Sequence, residues 1–175
     1  MQLLHPYNPE WEDQFNAIRS TISQALEGLP VAIEHIGSTA VPGLAAKPII
    51  DIDIVYDEVV PFAAIQSALE QLGYYHNGNQ GIAGREVFKR SSLAQVHEVL
   101  DRISHHLYVC PANSPELRRH IMFRDALLAN ETARRQYQAL KYEIATEAGQ
   151  DRKRYAALKE TRAKAFVEGL IRSYA

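Results

Sequence analysis

The chain has 175 residues, a net charge of −2, 46% hydrophobic and 23% charged residues, which suits one globular domain or a small domain with a helical appendage. Its single cysteine, Cys110, excludes an intrachain disulfide framework and a cysteine-rich zinc site, and reads as a small buried residue at a strand end. The first nine residues lack a basic segment followed by an apolar run, and no apolar stretch reaches membrane-spanning length, so a cytoplasmic protein with no membrane partner is expected. Charge is uneven along the chain: residues 1–110 carry 6 Lys/Arg and 13 Asp/Glu, a balance of −7, while residues 111–175 carry 13 and 8, a balance of +5. A basic half facing an acidic half can steer an anionic substrate, although basic residues also simply solvate helix surfaces.

Asn8-Pro9 precedes Trp11, Phe15, Ile18, Ile22 and Leu26, whose spacing predicts an amphipathic helix ended by Gly28 and Pro30. Val31 to Ile36 reads as a strand entering Gly37-Ser38-Thr39, and Ile49 to Tyr56 as a second, β-branched strand. Pro61 opens another helix with Phe62, Ile65, Leu69 and Leu72 buried and Gly73 at its end. A short strand at Tyr74 to His76 and a turn-rich stretch from Asn77 to Gly81 follow. Gly84 to Arg90 reads as a strand in which Arg85, Val87 and Lys89 alternate with Glu86, Phe88 and Arg90; the face turned to a ligand stays open. Residues 91–103 are loop or short helix, and Ser104 to Cys110 is another strand.

From Ser114, an N-cap followed by Pro115, the pattern is helical. Leu117, Ile121, Leu127 and Leu128 can face inward, Asn130 breaks the helix, and Tyr137, Leu140 and Ile144 define the next. A last helix capped by Asp151 carries Tyr155, Leu158, Phe166 and Leu170. The expected fold class is α+β: a mixed sheet with flanking helices over residues 1–112, then a helical region over 113–175 packed on it.

The segment from His35 to Tyr56 carries the chemistry. On its second strand Ile50, Ile52 and Ile54 share one face, and Asp51 and Asp53 the other. Two such carboxylates lie roughly 6 Å apart and repel by about 3 kcal/mol at an effective dielectric near 20, a cost that a cation between them removes. The Gly37-Ser38 turn permits close backbone approach and suits phosphate oxygens. Each half alone is more often a solvated strand face or an ordinary turn.

A hydrophobic residue, Gly-Ser, twelve residues and then acid-apolar-acid resembles the pattern of the nucleotidyltransferase superfamily with the polymerase β-like fold. His35 to Thr39, Val41-Pro42-Gly43, Lys47-Pro48 and Asp51-Ile52-Asp53 resemble, more narrowly, the GrpB family. Tyr7, Pro9, Trp11, Phe123-Arg124-Asp125, Tyr137 and Leu140-Lys141 extend the resemblance over nearly the whole chain. It implies a nucleotidyltransferase-like core with Mg²⁺ (or Mn²⁺) on Asp51 and Asp53, and a nucleoside triphosphate held by Gly37 and Ser38, with Thr39 either adding a hydroxyl or simply forming a turn hydrogen bond. An unidentified small-molecule acceptor would take the nucleotidyl group, and the short basic run Arg152-Lys153-Arg154, without interleaved aromatics, argues against nucleic acid as partner.

Lys47, Arg85, Lys89 and Lys141 are further candidates for phosphate contacts, with Arg124 and Lys159 on helices able to close over a nucleotide; Lys47 reads equally as a solvent-exposed loop lysine and Arg124 as an ion-pair partner of Asp125. Members of the superfamily usually carry a third carboxylate on a neighbouring strand, but Ser104 to Val109 has no acid. His106-Leu107 is similar to the start of a GrpB-family His-Leu-His-Val segment in which Tyr108 replaces the second histidine. His106 is thus a candidate catalytic residue, as metal ligand or general base, against a purely structural role. His35 reads as a brace for the turn, and Glu86 could supply the missing carboxylate if its face points inward. The alternative function is a catalytically silent nucleotide- or coenzyme A-related module, since some GrpB-family proteins are fused to dephospho-coenzyme A kinase. A hydrolase using the same acids is a third possibility, and the oligomeric state is open.

Overall fold

A computed structural model describes residues 2–174. The N-terminal pattern of apolar residues becomes helix α1 (Glu10–Ala25), with acidic Glu10, Glu12 and Asp13 at its positive end and Trp11, Phe15, Ile18 and Ile22 buried. Strand β1 (Val31–Ile36), a 3₁₀ turn (Ser38–Ala40) and β2 (Ile50–Tyr56) follow. Then come α2 (Phe62–Gln71), β3 (Tyr74–His76), β4 (Glu86–Arg90) and β5 (His105–Pro111). Residues 91–104 form turns and loop, without a helix.

The five strands form one sheet in the order β1-β2-β5-β4-β3. Only the β2–β5 pair is parallel; the β1–β2, β4–β5 and β3–β4 pairs are antiparallel. Ile50, Ile52, Ile54, Leu107, Val109 and Phe88 pack under α1 and α2 with Trp11, Ile18, Ile22, Ile65 and Leu69. Because side chains alternate, the opposite face receives Asp51 and Asp53 from β2. Asp51 is registered with His106, Asp53 with Tyr108, and Tyr108 with Val87. Arg85 and Lys89 therefore share the acid face.

Glu86 lies on the other face, where it accepts a hydrogen bond from His76 Nε2 at 2.6 Å. It does not supply the third carboxylate. The sheet does bring one acid opposite Asp53, namely Glu34 of β1, a residue whose local sequence gives no hint of that role.

Four helices cover the acid face: α3 (Pro115–Ala129), α4 (Glu131–Glu147), α5 (Arg152–Arg162) and α6 (Lys164–Tyr174). Their starts follow from capping chemistry, as Ser114 accepts from Leu117 N, Asn130 from Ala133 N and Asp151 from Arg154 N. The last expected helix is divided at Ala163. Thr161, just before the break, turns its hydroxyl back onto the Ala157 and Leu158 carbonyls, a bond that bends helices. Val41, Leu44, Leu127, Tyr137 and Ala163 form a separate core beneath these helices.

Adjacent positions on α3 cannot both face inward: Leu127 is 1% exposed and Leu128 is 44% exposed. Leu127→Ala is therefore expected to cost about 2–5 kcal/mol, and Leu128→Ala to stay within about 0.5 kcal/mol. Urea midpoints at constant slope would measure the contrast, and equal effects would contradict this packing.

Candidate functional site

The site lies between the acid face of the sheet and the C-terminal helices, around a cavity of about 440 Å³. Its floor is set by the exit from β1. Gly37 has a φ of 74°, a conformation that disfavours side chains, and a Cβ built there would meet Asp51 Oδ2 at 2.4 Å. Glycine thus lets the turn press directly against the first acid. The following Thr39 is buried. His35 Nε2 donates to its hydroxyl at 3.0 Å, while the His35 ring stacks on Phe15 with centroids 4.5 Å apart. Burial lowers the His35 pKa to about 4, so a neutral imidazole braces the turn.

The two acids have different surroundings. Asp51 is partly exposed and accepts from His106 Nδ1 at 2.8 Å. Since the carboxylate only accepts, this places a proton on Nδ1, and in the neutral ring Nε2 is then the acceptor. Asp53 is 0% exposed. Its Oδ2 accepts from His120 Nδ1 at 2.8 Å, and His120 Nε2 meets Glu116 Oε1 at 3.2 Å. Burial raises the Asp53 pKa, against the opposing pull of His120. Burial also pulls the His120 pKa down, but the hydrogen bonds and charges of Asp53 and Glu116 outweigh it and raise the value to about 9. The second acid thus carries its own cation, an imidazolium clasped by two carboxylates.

Lysines share the cavity with the first acid, Asp51. Lys141 is buried and donates to Ser38 Oγ at 3.0 Å and to the Ala45 carbonyl. Burial and the nearby charges of Lys159 and Lys47 lower its pKa well below the usual lysine value. Burial, Lys159 and Arg152 likewise lower that of Lys47. Lys47 lies over the Tyr155 ring at 5.5 Å and Lys141 over Tyr137 at 5.3 Å. All three lysines line the cavity with Ser38, Thr39, Asp51 and His106.

Several expected contacts fall elsewhere. Arg124 does not close over the cavity; it pairs with Asp125 at 2.8 Å and Glu34 at 2.7 Å and donates to the His35 carbonyl at 3.0 Å. Glu34, the acid opposite Asp53, is thereby neutralised. Arg85 and Lys89 do not line this cavity. His120 and Glu116 escaped the reading of the sequence, where the only available signal was a Glu–His pair four residues apart on a helix, a spacing that places two side chains together.

Among the described residues no three His, Cys, Asp or Glu side chains converge as a metal cluster. The donor chemistry fits a hard cation in a restricted way. Asp51 Oδ2, pressed against Gly37 beside the cavity, is not held by His106. Asp53 becomes available only if His120 leaves it. Tyr108 occupies the position beside Asp53 on β5.

The His120 clasp has a defined pH dependence. Its pKa is raised from 6.5 to about 9, so its stabilisation is complete below pH 6.5 and lost as pH rises through about 9. The melting temperature should fall across that window. In Glu116→Gln the fall should shrink and the His120 NMR titration midpoint should drop; an unchanged midpoint would contradict the clasp.

Comparisons with known proteins agree with this architecture. The family model described as "GrpB protein" matches residues 3–169. The UPF0157 protein YqkA of Bacillus subtilis is 30% identical over 81% of this chain, which spans only 39% of that relative's length. The crystal structure of conserved protein GrpB from Enterococcus faecalis superposes with a TM-score of 0.78 at 29% identity, covering 98% of both chains. A structure of the Cid1 poly(U) polymerase bound to MgATP gives a TM-score of 0.51 at 11% identity, over 83% of this chain and 45% of that one. That second likeness is one of fold, of the nucleotidyltransferase type. With the family model running through all but the ends of the chain, the protein belongs to the GrpB family.

Proposed function

We propose that the cavity binds a nucleoside triphosphate together with a divalent cation, and that the protein transfers the nucleotidyl group to an acceptor hydroxyl. The observation that carries this reading is the crowding of Lys47, Lys141 and Lys159 around one cavity. Burial first, and then the charges of neighbouring lysines, lowers the pKa of Lys47 and Lys141, and an anion among them favours their charged forms. Asp51 lines the same cavity. A polyphosphate between lysines and carboxylate satisfies both sides when it brings a cation.

In this reading Gly37, Ser38 and Thr39 form the phosphate turn, with Lys47 and Lys141 as point charges on the phosphate oxygens. Mg²⁺ or Mn²⁺ would be held by Asp51 and, once His120 has moved off it, Asp53, and supplies neutralisation of phosphate charge and alignment of the acceptor. His106 presents Nε2 to the acceptor while Asp51 orients its ring. The acceptor oxygen bonds to the α-phosphorus as the bond to the α–β bridging oxygen breaks. Pyrophosphate leaves with that electron pair, and the hydroxyl proton passes to His106 Nε2. These roles make Asp51, Asp53 and His106 the catalytic set.

A second reading, a silent nucleotide- or coenzyme A-related binding module, is favoured by one observation. Tyr108 stands on β5 beside Asp53, and Glu34 is consumed by Arg124, so neither neighbouring strand offers a free third carboxylate.

Calorimetry with ATP, GTP, CTP and UTP in the presence of Mg²⁺ tests the first claim. Asp51→Asn and Lys47→Gln should each weaken binding by about tenfold or more, the loss of one charge-assisted contact. Unchanged affinities in both would end the nucleotide reading. Pyrophosphate release in an acceptor panel then separates transferase from silent module, and nucleotide loss without acceptor would identify a hydrolase.

A further inference from the structure

We propose that a second cavity along β4 and β5, to which the acid face contributes Arg85, Lys89, His106 and Tyr108 and the opposite face Phe88 and Leu107, binds an anionic, hydroxyl-bearing acceptor through Arg85 and Lys89. It measures about 640 Å³. Its assignment as an acceptor site rests on the nucleotidyl-transfer reading, whereas its capacity to hold an anion does not.

Position is the first argument. His106 and Tyr108 line both cavities, so the two spaces meet at the residue that orients on Asp51. In-line displacement at phosphorus needs the entering and leaving oxygens on opposite sides. The lysines and the Ser38 turn hold one side. An acceptor entering over β5 arrives from the other, with its hydroxyl directed at His106.

Charge is the second argument. Arg85 and Lys89 flank Val87, which is registered with Tyr108, so both project over the acid face. The Arg85 guanidinium lies over the Tyr108 ring at 4.7 Å. Its Nε is the one buried side-chain nitrogen or oxygen without a hydrogen-bond partner among the described residues. Leaving such a donor unpaired is costly, and a carboxylate or phosphate supplies the missing acceptor in the geometry a guanidinium prefers. Lys89 is exposed at the same cavity. Asp101, an acid lining it, is already paired with Arg90 at 2.7 Å. The remaining charge is positive.

The Arg85 Nε–H resonance in ¹⁵N NMR, assigned by its loss in Arg85→Lys, reads the site directly. The probes are glycerol 3-phosphate and glycerol, each with and without α,β-methylene-ATP and Mg²⁺. Millimolar glycerol 3-phosphate should move the resonance and glycerol should not, and Lys89→Gln should weaken the response about tenfold. No response to glycerol 3-phosphate, or an equal response to glycerol, overturns the site. A resonance moved by the nucleotide analogue alone returns Arg85 to the nucleotide and also overturns it. If the nucleotide reading fails instead, the analogue gives no binding heat while the glycerol 3-phosphate response persists.

Discussion

The structure depends on how the buried carboxylate of Asp53 is balanced. A fully desolvated acid needs a cation, because an unpaired buried charge costs several kcal/mol. Here the cation comes from α3, where His120 is held between Asp53 and Glu116. One turn further along, Arg124 repeats the arrangement with Glu34, Asp125 and the His35 carbonyl. These ties fasten a helix of mixed surface across the acid face, where apolar packing alone would specify its position poorly. The Arg124 contact reaches the His35 carbonyl near the end of β1, just before Gly37.

With α3 in place, the rest of the helical region supplies the opposite charge. α4 brings Lys141 onto Ser38 and the Ala45 carbonyl, and α5 brings Tyr155 beneath Lys47. The rings keep the ammonium groups together through favourable ring faces, but they do not cancel the repulsion among them. The uneven charge along the chain therefore has a local meaning. Lys141 and Lys159 from the second half meet Asp51 of the first around a single space, and Arg124 meets Glu34.

Much of the fold was legible because its signals are local. Alternation on β2 separates the isoleucines from the acids without any tertiary knowledge, and Ser114 and Asp151 mark helix starts through their own side chains, while Asn130, read as a break, also caps α4. The turn, Asp51, Lys141 and His106, singled out by such local signals or through the family resemblance, meet around one cavity. His120 was not singled out, because its partner Asp53 lies 67 residues away and nothing near it announces a ligand. The face of β4 was equally illegible, since charged residues occupy both phases of the strand: Arg85 and Lys89 in one, Glu86 and Arg90 in the other. Only pairing with β5 decides between them. The adjacent leucines on α3 failed for a related reason, since what packs against the helix settles which of them turns inward.

The missing third carboxylate changes the chemistry more than a simple subtraction implies. Two metal ions at one site need enough negative charge to offset their mutual repulsion, and three acids around a strand pair would provide it. In this site Tyr108 contributes none and Glu34 is neutralised by Arg124. Asp53 is already offset by an imidazolium whose own charge is shared with Glu116. The surplus that remains belongs to Asp51, whose Oδ2 lies against the backbone of Gly37. If the cavity takes a nucleotide as proposed, charge balance favours a single cation held first by Asp51. In the proposed nucleotidyl-transfer reading, the part a second metal would play near an acceptor falls to protein groups: the His106 imidazole beside Asp51, and the Arg85 guanidinium over Tyr108.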